Sequence, residues 1–301
     1  MSFSTDVKTE LLTVRPKPCC ERAFYSAMLL FGRDFSAERL SLLTENEGVA
    51  QAYVFAVRFF SGVTPETQHT DGGHFRIVVD DRATAEAVLA EAGFSYPNAV
   101  RRIPFSALSA NCCKENFLRG AFTVCGTVTD PEKEYHLEFA CPSGWLAEDL
   151  IALTENYDIT LKQMQRGGAH VVYLKNSEQI EELLGRMGAT ENAMSVMGAK
   201  MYKDVRNTIN RKVNFENANL SRSIAAATRQ YEAIMHIAKT KGLDSLPAEL
   251  KLLAQARIEN REMGAAELSK LLPGDLTVSG VNHRFRRIMK IAENITEKSQ
   301  P

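Results

Sequence analysis

Two stretches of this chain lie 93 residues apart and can be laid over each other without a gap. Cys19-Cys20-Glu21-Arg22-Ala23-Phe24-Tyr25-Ser26-Ala27-Met28-Leu29-Leu30-Phe31 overlays Cys112-Cys113-Lys114-Glu115-Asn116-Phe117-Leu118-Arg119-Gly120-Ala121-Phe122-Thr123-Val124. Both open on a cysteine pair, and both share Phe24/Phe117 and the small pair Ala27/Gly120. An internal repeat of this length limits the first two hundred residues to two similar halves. The order of elements supports it. The first half reads as an apolar helix, a strand at Leu40–Thr44, a helix at Val49–Phe60, a strand at Phe75–Val79 and a helix at Ala83–Ala92, stopped by Gly93. The second half reads as an apolar helix, a strand at Tyr135–Phe139, a helix at Trp145–Asn156 and a hairpin of Ile159–Gln165 with His170–Lys175 around Arg166-Gly167-Gly168-Ala169. A helix at Glu178–Met187 follows, with Ser177 expected as its cap and Gly188 closing it. Each half is thus helix–strands–helix–strands–helix, and together they predict one α+β domain with pseudo-twofold symmetry.

Leu118-Arg119-Gly120-Ala121-Phe122-Thr123-Val124-Cys125-Gly126 resembles the LAGLIDADG helix of homing endonucleases, keeping the first Leu and both Gly. In the first copy, Tyr25 to Arg33, only Ala27 remains as the small residue. The resemblance implies that the two helices pack closely at the pseudo-dyad, and that an active enzyme would end each helix on an acid that holds metal between scissile phosphates. This chain has Gly32 and Cys125 there, with Asp34 and Asp130 several residues downstream. The pattern therefore predicts the fold without the nuclease, and no catalytic residue.

The formal net charge of −1 hides a division. Residues 1–199 carry 18 Lys+Arg against 26 Asp+Glu, a formal −8, and residues 200–301 carry 18 against 11, a formal +7. A basic half points to a nucleic-acid partner, and an acidic body argues against a tight duplex grip there. The acidic part is read as a surface for a protein partner, or one that folds back on the basic half and restrains it. No run of 18 apolar residues exists and the first residues lack a basic-then-apolar leader, so the chain is expected in the cytoplasm, associated with the nucleoid. The six cysteines sit as Cys19-Cys20, Cys112-Cys113, Cys125 and Cys141 without a C-x-x-C spacing, so they read as buried reduced thiols. No metal, cofactor, membrane or small-molecule substrate is expected.

The domain plan is 1–190 for the repeat domain (halves about 1–95 and 105–190), 191–215 for a helical linker and 216–301 for an all-α domain. The linker helix runs through Met194, Met197, Met201 and Val205, and its polar face carries Lys200, Lys203, Arg206, Asn207, Asn210, Arg211 and Lys212, which suit phosphate contact. Leu220–Lys241 reads as a long helix stopped by Gly242, and a further helix starts near Ser245 and Pro247. A short helix at Ala265–Leu272 is broken at Pro273-Gly274-Asp275, and Thr277 or Ser279 caps a last helix. There Val281, Phe285, Ile288, Met289 and Ala292 make one stripe, opposite Ser279, Asn282, His283, Arg286, Arg287 and Lys290, with Arg284 at the edge. This is the layout of a helix-turn-helix, whose second helix presents its N-terminal residues to base edges. Asn282, His283 and Arg286 suit base readout, and Arg284, Arg287 and Lys290 suit phosphates.

Phe3-Ser4-Thr5-Asp6-Val7-Lys8-Thr9-Glu10-Leu11, Asp130-Pro131-Glu132-Lys133-Glu134-Tyr135-His136-Leu137-Glu138, Arg206-Asn207-Thr208-Ile209-Asn210-Arg211 and Ser279-Gly280-Val281-Asn282-His283-Arg284 add to Phe117–Phe122. In this combination the chain resembles the WhiA family of bacterial regulators over nearly its whole length. The resemblance implies a degenerate homing-endonuclease domain joined to a helix-turn-helix. It implies double-stranded DNA binding through about Gly264–Asn294, with transcriptional regulation in cell division, chromosome segregation and sporulation. The first repeat departs from the family pattern at Phe24-Tyr25-Ser26 and Phe31-Gly32-Arg33.

Overall fold

A computed structural model describes residues 2–94, 101–274 and 276–297. The expected seam between repeats near residue 95, Asp275 of the expected break, and the last four residues of the expected C-terminal domain lie outside the described residues. The chain divides into two compact units, Met1–Asp204 and Val205–Pro301. Helix α1 (Phe3–Thr13) precedes the repeats and buries Val7 and Leu11. The first half runs α2 (Pro18–Leu30), β1 (Asp34–Phe35), β2 (Leu40–Thr44), α3 (Glu47–Ser61), β3 (Thr67–His69), β4 (Phe75–Val79) and α4 (Arg82–Glu91). The second runs α5 (Asn111–Cys125), β5 (Gly126–Val128), β6 (Leu137–Cys141), α6 (Gly144–Glu155), β7 (Lys162–Arg166), β8 (Ala169–Leu174) and α7 (Ser177–Met187). Each half forms a four-stranded antiparallel sheet, ordered β1-β2-β4-β3 and β5-β6-β8-β7. The same order twice establishes the duplication in backbone terms.

Local chemistry repeats with it. Asn46 Oδ1 accepts from the Val49 N–H at the start of α3, and Ser143 Oγ accepts from the Leu146 N–H at the start of α6. Asp81 does the same for α4, and Asn176 Oδ1 for α7. The expected cap at Ser177 is thus one residue off: Asn176 reaches the Gln179 N–H at 3.0 Å, and Ser177 becomes the first helical residue. Gly188 closes α7 at φ 100°, as expected.

Helices α2 and α5 pack side by side at the centre of the repeat unit. A Cβ on Gly120 would lie 2.2 Å from the Phe24 carbonyl oxygen and 2.9 Å from the Ala27 Cβ. The glycine is therefore what lets the two backbones approach so closely. Around this seam, one continuous core joins both halves and ends on Ala193 and Val196.

The expected linker and the following long helix are one element, α8 (Thr190–Thr240). Gly198 is tolerated inside it, and no proline or second glycine intervenes before Gly242, whose φ of 78° lies outside the helical region. Its start is held from far away in sequence. The Glu10 carboxylate accepts from the Glu191 and Asn192 N–H groups at 2.7 and 3.1 Å and from Asn192 Nδ2 at 2.6 Å. A carboxylate on the exposed amides of a helix N-terminus satisfies them and complements the dipole.

The second unit continues through α9 (Ala248–Glu259), α10 (Ala265–Leu271) and α11 (Val278–Glu297). Its core gathers Ile234, Ile237, Leu250, Leu253, Leu268, Val281, Phe285 and Ile288. Thr277 caps α11, its Oγ1 accepting from the Gly280 N–H at 3.2 Å. Of the expected stripe, Val281, Phe285, Ile288 and Ala292 are buried and Met289 is half-buried. Among the described residues no helix is long and apolar enough to cross a membrane.

Candidate nucleic-acid interface

On α11 the burial of Val281, Phe285 and Ile288 fixes which side faces outward. Ser279, His283, Arg286, Arg287 and Lys290 are exposed, and Asn282 and Arg284 are half-buried. Ser279, Asn282, His283, Arg286 and Lys290 make no side-chain hydrogen bond or ion pair with a described residue. Arg284 and Arg287 differ from them. Arg287 Nη1 donates to Glu249 Oε1 at 2.6 Å, and Arg284 Nη2 lies 3.6 Å from Glu249 Oε2. The two arginines of α11 expected on phosphates are held by one carboxylate of α9.

The turn ahead of α10 is held by Arg257, which is 1 % exposed. Its Nη1 donates to the carbonyls of Asn260, Arg261 and Met263, and its Nη2 donates to Gln230 Oε1 at 2.9 Å. The guanidinium also lies 5.0 Å from the Phe285 ring centroid, tying the turn to α11. Sequence reasoning missed this residue, since an arginine in a helix reads as solvent-facing.

The basic face expected on α8 divides in two. Lys200 Nζ lies 2.5 Å from Glu178, and Lys203 Nζ donates to the Pro131 carbonyl at 2.7 Å while sitting 4.4 Å from the Tyr135 ring centroid. Both are engaged by the repeat unit. Arg206, Asn207, Asn210 and Arg211 are exposed and make no side-chain hydrogen bond or ion pair with a described residue. Met194, Met201 and Val205 are exposed rather than forming a covered stripe, at 70 %, 65 % and 59 %.

At the C-terminal ends of α2 and α5 the two acid positions are filled in unlike ways. A Cβ at Gly32 would lie 2.9 Å from the Ser41 carbonyl and 3.0 Å from Tyr53 Oη, so the site has no room for a carboxylate. The Cys125 thiol donates to the Ala121 carbonyl at 3.2 Å, and burial pushes its pKa well above the ordinary value. Asp34 accepts from Ser41 Oγ at 2.5 Å and pairs with Arg39 at 3.4 Å, while Asp130 accepts from the Glu132 N–H at 2.9 Å. Beside Asp34, the cleft around Arg33, Arg39 and Arg76 has a volume of about 250 Å³. The cysteines, expected as buried thiols, are buried only in part: Cys141 is buried and Cys125 half-buried. Cys20 and Cys113 are buried, Cys112 is half-buried and Cys19 is exposed, and the four thiols gather in one place.

Residues 114–206 match the model of the WhiA LAGLIDADG-like domain, and residues 209–292 match that of the WhiA C-terminal HTH domain. A protein named "Probable cell division protein WhiA" from Ruminiclostridium cellulolyticum is 35% identical over 312 residues, covering 100% of both chains. One of the same name from Alkaliphilus metalliredigens is 32% identical over 316 residues, covering 99% of this chain and 100% of its own. The fold is similar to that of "full-length DUF199/WhiA from Thermatoga maritima", with a TM-score of 0.58 and 23% identity over 98% of this chain and 99% of that one. With two domain models in order and full-length relatives above 30% identity, the chain belongs to the WhiA family.

Proposed function

We propose that this chain is a double-stranded-DNA-binding transcriptional regulator acting in cell division, chromosome segregation and sporulation, in the cytoplasm on the nucleoid. The observation that supports it is the outward side of α11. Ser279, Asn282, His283, Arg286 and Lys290 form a polar and basic face that the protein itself leaves unengaged, on a helix that follows a short helix after a connection of six residues. Arg286 and Asn282 can pair with guanine and adenine edges, and Lys290 with phosphate. Arg206, Asn207, Asn210 and Arg211 add a second unengaged polar face, suited to phosphates. The names of the relatives support a role in division. The acidic repeat unit serves protein contact rather than duplex binding, in keeping with its formal −8 over residues 1–199.

Arg286→Ala is expected to weaken binding to a cognate site by about 1–3 kcal/mol, roughly 5- to 150-fold, and to relax selectivity at one base position. Fluorescence anisotropy across a salt titration reads both effects, and equal binding by the wild type and the variant at every salt concentration would reject the assignment. In the same reading the repeat unit does no phosphodiester chemistry, because Gly32 and Cys125 supply no oxygen ligands for a hard metal. Supercoiled plasmid incubated with the purified protein and magnesium or manganese is expected to stay unnicked.

A further inference from the structure

Each LAGLIDADG-like helix opens on a cysteine pair. Cys19 and Cys20 lie in the first turn of α2, and Cys112 and Cys113 in the first turn of α5. The close packing at Gly120 brings these two turns together, and the Cys113 thiol lies 3.7 Å from the Cys19 carbonyl. The four Sγ atoms all lie within 4.8 Å of one another, with Cys19 and Cys20 3.7 Å apart. A tetrahedral zinc ion with bonds of about 2.3 Å requires sulfur–sulfur edges of about 3.8 Å. None of the four is in a disulfide, so each sulfur can serve as a thiolate donor. We propose that Cys19, Cys20, Cys112 and Cys113 form a four-thiolate zinc site that staples the two repeats at the N-terminal end of their central helix pair.

A second observation points the same way. Arg119, nearly two turns beyond the cluster on α5, is 1 % exposed, and its guanidinium lies 4.5 Å from the Phe24 ring centroid. Its Nε has no hydrogen-bond partner, and among the described residues no carboxylate pairs with it. A buried cation without an anion is costly. Loading the site exchanges four thiol protons for one zinc ion, and the product carries a charge of −2. That charge would be favoured by the positive ends of two helix dipoles and by Arg119, which interacts electrostatically with Cys20. Soft sulfur donors in a tetrahedron select zinc over hard cations. A cluster bridged by two irons spreads its thiolate pairs more widely than these four sulfurs lie. With four protein ligands the site is closed to substrate, so its role is structural.

The test uses the untagged full-length protein, purified with reductant and dialysed against zinc chloride and then against metal-free buffer. Elemental analysis is expected to find about one zinc per chain. Cobalt chloride in its place is expected to give the visible bands of a tetrahedral thiolate complex. Cys19→Ser, at the exposed member, is expected to keep the fold by circular dichroism and to lower zinc affinity at least tenfold in competition with a chelator. Chelation is also expected to lower the Tm of the wild type. Substoichiometric zinc after loading, a disulfide between the pairs in freshly purified protein, an iron–sulfur chromophore, or unchanged affinity in Cys19→Ser would each overturn the proposal.

Discussion

Gly120→Ala is expected to destabilise the repeat unit by about 2 kcal/mol or more, although the same change inside an ordinary helix stabilises. Alanine exceeds glycine in helix propensity by about 1 kcal/mol, so propensity alone predicts a gain. The added methyl would stand 2.2 Å from the Phe24 carbonyl oxygen, where backbone and not a movable side chain blocks it. Helices α2 and α5 must then separate, which opens a core shared by both halves, and overpacking of this kind costs about 1–3 kcal/mol, occasionally more. Gly198→Ala is the control. That glycine sits exposed within α8, with nothing within 4 Å of the new Cβ, and its replacement is expected to add about 0.5–1 kcal/mol. Urea unfolding of both variants measures the contrast. Equal and same-signed effects would show that the helix seam is looser than described.

Arg257→Leu is expected to loosen the second unit by about 3 kcal/mol. The substitution removes a buried charge, which is favourable in itself. It also strips donors from three partly buried backbone carbonyls and from the buried Gln230, and an acceptor left alone in the interior costs about 1–3 kcal/mol. The losses outnumber the gain. Hydrogen exchange resolves the result by unit: protection is expected to fall in α9, α10 and α11 while α2 and α5 keep theirs. Uniform loss along the chain, or none, would contradict this placement of Arg257.

Much of this architecture could be read from side-chain periodicity. Leu40–Thr44 and Phe75–Val79 were legible as strands because their apolar residues sit on a five-residue ladder, and the structure places both within those bounds. The Val281, Phe285 and Ile288 stripe was legible because helical spacing and burial coincide. What escaped is short or distant. Strands β1, β3 and β5 have two or three residues, too few for alternation to show. Helix α8 is started by Glu10, a partner about 180 residues earlier, which no local signal contains. Strand β6 lies two residues later than the alternation of Tyr135–Phe139 suggested, because its pairing with β8 sets the register. The cysteine pairs defeat spacing rules since each pair is completed by the other repeat. On α11 sequence could identify the exposed face but not that Arg284 and Arg287 would already be occupied.

Under the proposed function, that occupation would alter how DNA affinity responds to salt. A phosphate that lands on a solvated arginine sets a condensed cation free, and each such event steepens the decline of affinity with ionic strength by roughly 0.9 per contact. In the proposed DNA complex, a phosphate reaching Arg284 or Arg287 would have to displace the Glu249 carboxylate. Glu249 would then act as a tethered counter-anion, and the two arginines would shape the fit to the backbone without contributing their full share of ionic-strength sensitivity.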